Sequence, residues 1–294
     1  MIEEPLPITN TTLDATTIAS LVEEQVAKLS CTLRPDYHAA LKASLDTETS
    51  ERGREVLEQL LSNAHIAASE GLPLCQDTGY VWVCLELSGS LAVPSNVFSE
   101  VDAAVARAAV ASGMRMSMLT DALVGRVNTN DNTPAFCEVL YRRSASNTAT
   151  ATLHIMLKGG GSDNASALTM LPPGAGVAGV LDFVVERVAE KGANACPPLV
   201  VGVGAGSSFD KVAGLAKHAL LREVGTTHLN SEVSSLETQL MERINSLGIG
   251  AGGMGGSTTA LAVHIETAPC HIAALPVAVN IGCTALRSVS IPLI

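Results

Sequence analysis

The spacing of apolar residues predicts helices along much of the chain. Apolar side chains recur every three or four positions, which is the period of a helix with one buried face. Gly71 and Pro73 end the longest of these patterns, because neither residue continues a helix well. The segments with the helical period are 16–30, 46–68, 96–112, 176–190, 209–222 and 231–247.

Shorter apolar runs between these helices predict strands. The segments 136–142 and 149–157 lie on either side of a short polar turn, so we expect them to pair as a hairpin. Helices and strands otherwise alternate, which predicts a mixed α/β (α+β) fold with helices flanking mixed sheets. We expect one domain over residues 1–294, with two lobes as an alternative. The strand-like runs are 80–85, 136–142, 149–157, 199–204, 260–265 and 276–281.

Composition and charge exclude several classes of function. The net charge of −11 argues against a nucleic-acid partner, because phosphate binding needs a basic surface. No apolar run reaches the roughly 18 residues that a membrane helix needs. The acidic N-terminal segment lacks the basic start of a secretory signal. We therefore expect a cytoplasmic protein whose seven cysteines are reduced rather than paired in disulfides.

Three glycine-rich segments invite three interpretations. The segment 250–257 approaches a nucleotide-binding P-loop, but Gly256 stands where that loop needs a lysine. The glycines at 202, 204 and 206 do not have the spacing of a dinucleotide loop. For Gly159–Gly161 we favour a nest of backbone N–H groups that binds a carboxylate or phosphate.

The stretch Leu74–Gly79 carries the densest chemistry of the chain. It places a thiol, an amide, a carboxylate and a hydroxyl on consecutive residues, in a loop between a predicted helix and a predicted strand. Two other cysteines stand in well-defined positions: Cys196 precedes two prolines, and Cys283 follows Gly282 at a predicted strand end. Structural thiols and metal ligands both remain open at this point.

Two further residues also have two interpretations each. Arg115 lies between two methionines, where it could extend to the solvent or clamp a carboxylate. His271 lies between Cys270 and an apolar residue, where a structural histidine is the default interpretation.

The ordered set of motifs resembles the class I (iron–sulfur) fumarate hydratases. The resemblance is to their α subunit or N-terminal domain, which L(+)-tartrate dehydratase shares. It extends from about residue 15 to residue 285, and it is the order of the motifs that makes it specific. The matching segments are Cys75–Gly79, Lys158–Ser162, Asn194–Pro198, Gly202–Gly204, Leu247–Gly250, His271–Ala273 and Pro276–Val279.

The resemblance implies a [4Fe–4S] cluster held by three thiolates, those of Cys75, Cys196 and Cys283. Three protein ligands for four irons leave one iron open, and an open iron is a Lewis acid for a substrate hydroxyl and carboxylate. Cys270 is a rival ligand because it lies near Cys283 in the sequence, although its position does not match the motif.

The resemblance also implies the remaining roles. Asp77 would supply a proton to the leaving hydroxyl, and His271 would orient that carboxylate. Gln76, Arg115 and Gly160 would bind the C4-dicarboxylate substrate, with the Arg115 guanidinium matching a carboxylate in a bidentate pair.

The expected activity is the reversible hydration of fumarate to (S)-malate in the tricarboxylic acid cycle. L(+)-tartrate dehydration to oxaloacetate and mesaconate hydration are alternatives, and a cluster-free structural or binding subunit is an alternative of another class. In the family the catalytic base lies in a second domain, so we expect a separate β subunit, an α2β2 assembly and no activity from this chain alone. The segment Cys283–Leu286 departs from the family pattern, which places contact with that partner in question.

Overall fold

The structure is a computed structural model that describes residues 13–143 and 148–294. The chain forms two compact units. Unit one contains the described residues of Met1–Cys31, Thr78–Leu157 and Arg287–Ile294, and unit two contains Thr32–Asp77 and Lys158–Leu286. The expectation of one domain over residues 1–294 stays a prediction.

Helices and strands alternate along much of the chain, which confirms the predicted mixed α/β class. The helices are α1 (Ala15–Cys31), α2 (Pro35–Thr47), α3 (Glu51–Glu70), α4 (Val101–Ala111), α5 (Gly160–Asn164), α6 (Gly176–Lys191), α7 (Phe209–Ala219) and α8 (Ser231–Asn245). The strands are β1 (Tyr80–Ser88), β2 (Phe136–Tyr141), β3 (Thr150–Lys158), β4 (Ala167–Leu171), β5 (Leu199–Ser207), β6 (Ala260–Cys270), β7 (Leu275–Gly282) and β8 (Arg287–Pro292). No helix in the described ranges is both long and apolar enough to cross a membrane.

Unit one is a four-stranded sheet with the order β2-β1-β3-β8, and its core packs against α1 and α4. Strands β1 and β2 are parallel, with α4 between them in the chain. The predicted hairpin is therefore wrong, because β1 lies between β2 and β3. Residues of β1 such as Val81, Val83 and Cys84 are fully buried, and a strand buried on both faces takes a central position.

Four elements escaped the apolar pattern: α2, α5, β4 and β8. Helix α2 buries only Tyr37 and Leu41, which is too little to make a helical period visible. The predicted helix 46–68 begins instead at Glu51, where the hydroxyl of Ser50 accepts a hydrogen bond from the Gly53 N–H at 3.2 Å and caps the helix.

Unit two contains a second four-stranded sheet, with the order β4-β7-β5-β6. Strand β5 is parallel to β6 and antiparallel to β7. Helix α7 lies so close to β5 that a Cβ atom at Gly202 or Gly204 would collide with its backbone, at Ala216 and Val212. These glycines thus lie inside a strand and allow close helix packing, which explains why their spacing does not form a dinucleotide loop.

Candidate functional site

Two of the three predicted ligands meet at one end of the two central strands of the sheet in unit two. Cys196 precedes β5, and Cys283 directly follows β7, which is antiparallel to β5 with Val200 opposite Gly282. The N–H of Thr284 donates a hydrogen bond to the carbonyl of Cys196 at 3.0 Å. Antiparallel pairing therefore brings together two cysteines that lie far apart in the sequence.

Cys75 reaches the same place from the end of α3. Gly71 ends that helix with a φ of 66°, and the side-chain amide of Asn63 donates to the carbonyl of Leu74 at 2.8 Å, which holds the following loop. Cys75 and Cys283 are both half-buried, and both pack against one small apolar cluster. Its buried members are Ala64, Ala67, Leu74 and Ala285.

Cys196 presents its thiol from a left-handed turn, with a φ of 55°. Burial raises the pKa of this thiol, and negative charge on Cys283, Cys75 and Asp77 raises it further. These groups are thus close enough to repel one another when ionised. A positively charged metal centre would remove that repulsion, because metal ligation requires deprotonated thiols.

The three thiols do not form a site for a single ion. A zinc-like ion with Zn–S bonds of 2.3 Å holds tetrahedral thiolates only about 3.8 Å apart. Among the described residues, the sulfurs of Cys75, Cys196 and Cys283 do not all lie within 4.8 Å of one another. Soft thiolates are the ligands that hold iron–sulfur clusters, so the donor set present fits that group.

The carboxylate of Asp77 lies against the glycine loop at the start of α5. The N–H of Gly161 donates to Asp77 Oδ2 at 3.4 Å. A Cβ atom at Gly159 would lie only 3.0 Å from the same oxygen, whereas one at Gly160 would lie 3.9 Å away. The loop that we expected to bind an anion therefore contacts a carboxylate of the protein itself, and Gly159 provides the space for it.

Lys158 is a charged residue of this site that the sequence analysis did not single out for a role. Its side chain is completely buried, and its ammonium donates to Ser162 Oγ at 3.1 Å and to the Ile281 carbonyl at 2.8 Å. It also pairs with Asp163 at 3.3 Å. Burial lowers the pKa of Lys158, while Asp163 and Cys283 push that pKa upward. The sequence feature that could have identified Lys158 is its position at the end of an otherwise apolar strand.

A family comparison supports the same chemistry. The family model described as "Fumarate hydratase (Fumerase)" matches residues 19–292. The chain belongs to this family. The family membership confirms the resemblance to class I fumarate hydratases, and it confirms the expected enzyme class, because fumarate hydratases are hydro-lyases.

Several proteins similar to this member of the fumarate hydratase family are named as alpha subunits of L(+)-tartrate dehydratase. One is the "Putative L(+)-tartrate dehydratase subunit alpha" of Methanocaldococcus jannaschii, which is 37% identical over 92% of this chain and 95% of its own length. Others are the L(+)-tartrate dehydratase subunits alpha of Escherichia coli K12 and Shigella sonnei. Each is 31% identical over 92% of this chain and 88% of its own length.

The predicted substrate-binding residues of this fumarase-family chain fall in both units. Gln76 and Gly160 are both exposed in unit two. Gln76 directly follows Cys75, and Gly160 directly precedes Gly161, whose N–H donates to Asp77. Arg115 belongs to unit one, where its side chain is exposed. Its carbonyl accepts a hydrogen bond from the buried Thr78 hydroxyl at 2.7 Å.

His271 lies at the other end of the sheet from the predicted cysteine ligands. It occupies the turn between β6 and β7, and β7 needs eight residues to reach Cys283, which spans roughly 26 Å. Within one chain the fold therefore does not bring His271 to Asp77. Cys270 pairs with Ser207 at that same far end of β5, which removes it as a rival ligand for a site at Cys196.

The surroundings of His271 are an apolar cavity of about 430 Å³ in unit two. Its lining includes Val177, Ile265 and Leu275 beside His271. The imidazole Nδ1 accepts a hydrogen bond from the Ala273 N–H at 3.1 Å, so it is held by its own turn. The role predicted for His271, orienting the Asp77 carboxylate, stays a prediction. It requires that His271 of one chain reach Asp77 of another.

The loop that approached a P-loop is filled by a carboxylate of the same chain. Glu48 is buried, and its two carboxylate oxygens accept hydrogen bonds from the N–H groups of Ser257 and Thr258 at 3.0–3.1 Å. A Cβ atom at Gly256 would lie 2.9 Å from Glu48 Oε2. This glycine loop therefore binds an internal anion, and sequence analysis missed Glu48 because its partners in this loop lie more than 200 residues away.

Proposed function

We propose that this chain is the cluster-binding α subunit of an iron–sulfur hydro-lyase that hydrates fumarate to (S)-malate. The observation that carries the proposal is the convergence, within unit two, of three thiols and the Asp77 carboxylate. A fold that needed only buried thiols would not gather three of them beside a carboxylate. Membership of the fumarate hydratase family supports the same conclusion.

Cys75, Cys196 and Cys283 would hold a [4Fe–4S] cluster. When bound, that cluster supplies a Lewis acid at the iron that no cysteine ligates. The half-buried and exposed positions of the three cysteines leave room for a substrate beside them. Cys31 lies on α1 and Cys137 on β2, both in unit one, and neither belongs to this group.

Asp77 would hold the proton that the substrate hydroxyl needs in order to leave as water. Gly159 and Gly161 fix the position of its carboxylate. The exposed amide of Gln76 and the loop at Gly160 would bind a substrate carboxylate by hydrogen bonds. Arg115 would add a bidentate pair to a carboxylate.

The proposed assembly is α2β2. The relatives from Methanocaldococcus jannaschii and Escherichia coli are both named as subunit alpha, which supports a β subunit as the partner. The position of His271 supports a second α chain as well, because within one chain this residue lies far from Asp77. We expect the isolated chain to bind the cluster and to lack activity.

L(+)-Tartrate is the second candidate substrate. The relatives named L(+)-tartrate dehydratase subunit alpha favour it, whereas Lys158, Ser162 and the segment 270–273 favour fumarate. Mesaconate is a third C4-dicarboxylate skeleton that the same residues could bind. Co-expression with the matching β subunit, without oxygen, allows turnover of all three to be compared. Turnover of tartrate but not fumarate would reject our substrate assignment.

Iron binding tests the ligand set independently of the substrate. After anaerobic reconstitution we expect a brown protein that absorbs near about 400 nm, as thiolate-ligated clusters do. Serine at position 75, 196 or 283 should lower the iron content, whereas Cys31→Ser and Cys137→Ser should retain it. If the chain takes up no iron, the alternative of a cluster-free structural or binding subunit is correct. Equal iron retention in all five variants would refute the three ligands.

A further inference from the structure

The phenol of Tyr37 is a buried donor with no acceptor in the part of the chain that the structure describes. Tyr37 lies in the first turn of α2, its side chain is fully buried, and its hydroxyl has no hydrogen-bond partner among the described residues. A buried polar group without a partner costs about 1–3 kcal/mol. Phenylalanine would fill the same space without that cost, so the hydroxyl requires a reason.

The neighbours of the ring leave that hydroxyl unused. The guanidinium carbon of Arg34 lies 5.1 Å from the ring centroid, which is a cation–π contact. Arg34 donates from Nε to Asp36 Oδ1 at 3.0 Å, so its charge is already paired with a carboxylate.

Helix α2 carries Tyr37 on the face that packs toward the segment directly after Cys283, the proposed ligand. Leu41 follows Tyr37 by one turn on the same face of α2, and it lines a small cavity together with Thr284 and Ala285. Electrostatics agrees with this placement: burial raises the pKa of Tyr37 well above its usual value, Arg34 opposes that rise, and negative charge on Cys283 adds to it.

A second buried hydroxyl belongs to the residue directly after Cys283. Thr284 Oγ1 is buried and has no hydrogen-bond partner among the described residues. Lys158, the buried cation near Cys283, differs from both hydroxyls because its ammonium is occupied by Ser162, Ile281 and Asp163. The groups around Cys283 thus include an engaged ammonium and two hydroxyls that need an acceptor.

We propose that the Tyr37 hydroxyl donates a hydrogen bond to sulfur on the Cys283 side of the cluster and so acts as a positioning residue for it. The inference rests on the proposed function, because the acceptor is the sulfur of a bound iron–sulfur group. Hydrogen bonds to sulfur stabilise the more negative, reduced state and so raise the reduction potential. Residues that hydrogen-bond to metal ligands also raise the affinity for the metal, by about 10-fold to 100-fold.

The test compares Tyr37→Phe with the wild type and with Tyr141→Phe, a matched change at an exposed tyrosine. Each chain is reconstituted without oxygen, and three quantities are measured: iron content, the one-electron midpoint potential, and the rate of iron loss to a chelator. We expect Tyr37→Phe to bind the cluster, to lose iron about tenfold faster, and to have a more negative midpoint. A tenfold change in the equilibrium for one electron corresponds to about 59 mV.

The unfolding of the cluster-free chain separates this role from a structural one. Because the hydroxyl has no partner within residues 13–143 and 148–294, cluster-free Tyr37→Phe should unfold at the same urea concentration as the wild type or a higher one. Lower stability without iron would mean that the hydroxyl serves the fold, and it would overturn the proposal. An unchanged midpoint and rate of iron loss in Tyr37→Phe would also overturn it.

Replacing tyrosine by 3-fluorotyrosine keeps the shape and the hydroxyl if Tyr37→Phe does not fold. The fluorinated phenol is a stronger acid and a stronger donor, so the midpoint should move in the positive direction. No movement in the fluorinated protein would reject the proposal. A wild-type chain that takes up no iron would reject the proposed function, and this inference with it. A wild-type chain that binds iron with a midpoint insensitive to Tyr37 would reject this inference alone.

Discussion

Substituting Glu48 by glutamine should weaken unit two, because this carboxylate ties two distant segments together. Its oxygens accept hydrogen bonds from the N–H groups of Thr49 and Ser50 at 2.9 and 3.0 Å, at the start of α3. They also accept from Ser257 and Thr258 at 3.0–3.1 Å, in the glycine loop before β6. Glu48→Gln replaces one of the two acceptor oxygens with an NH₂ group, which cannot accept.

The expected loss follows from counting those bonds. If the amide oxygen of the glutamine replaces Oε1, the NH₂ group faces the buried N–H of Thr258, and that donor loses its partner. An unpaired buried donor costs about 1–3 kcal/mol, and the remaining bonds weaken when the acceptor becomes neutral. We expect the free energy of unfolding to fall by about 3 kcal/mol, or roughly 1 M urea at a slope of about 3 kcal/mol/M.

The stability difference between wild type and Glu48→Gln should also depend on pH. Burial pushes the pKa of Glu48 upward, but the N–H groups of Ser50, Ser257 and Thr258 outweigh it and hold the pKa below its usual value. A lower pKa in the folded state means that the stabilisation is fully present above the unfolded value of about 4.3. It is lost as the pH falls through the folded-state pKa. The difference between wild type and variant should therefore be constant above about pH 5 and shrink in more acidic solution.

Urea unfolding between pH 3.5 and pH 7, together with hydrogen exchange of the 250–259 segment, measures both effects. Glu58→Gln is the matched control, because Glu58 is exposed on α3. We expect the control to behave as wild type and Glu48→Gln to exchange faster at Ser257 and Thr258. Equal stability of wild type and Glu48→Gln at pH 7 would refute the reasoning, and so would a difference that persists unchanged in acid.

Two further predictions concern Asp77's loop and the buried thiols. Gly159→Ala should lower kcat of the assembled enzyme by about tenfold to a hundredfold while iron content stays normal, because the new methyl displaces the Asp77 carboxylate. Gly214→Ala, where a Cβ meets open space, should leave kcat unchanged, and equal activity of the two variants would contradict this role. Burial raises the pKa of Cys84 and Cys137 to about 12, so mass spectrometry after iodoacetamide treatment at pH 8 should find both alkylated roughly a thousandfold more slowly than an ordinary thiol. Rapid labelling of either thiol in the folded protein would contradict that burial.

Much of the secondary structure was predictable because burial leaves a local trace. Helices α6 and α8 follow the helical period closely, and β5 is an apolar run bounded by Pro198 and the N-cap of α7. Helix α2 left almost no trace, because Tyr37 and Leu41 are its only buried residues. The predicted hairpin failed for a different reason: adjacent strands in the chain need not be adjacent in the sheet, and β1 separates β2 from β3.

The candidate site was likewise predictable only in part. The amino-acid sequence by itself determined the reactive residues and, through the order of its motifs, the family and the three candidate ligands. Only the tertiary structure decided which groups meet. Antiparallel pairing of β5 and β7 brings Cys196 to Cys283 and carries His271 to the far end, while Glu48 fills the glycine loop that approached a P-loop but lacked its lysine. Partners separated by 80 to 210 residues leave no periodic signal, because local patterns record whether a residue is buried and not what it is buried against.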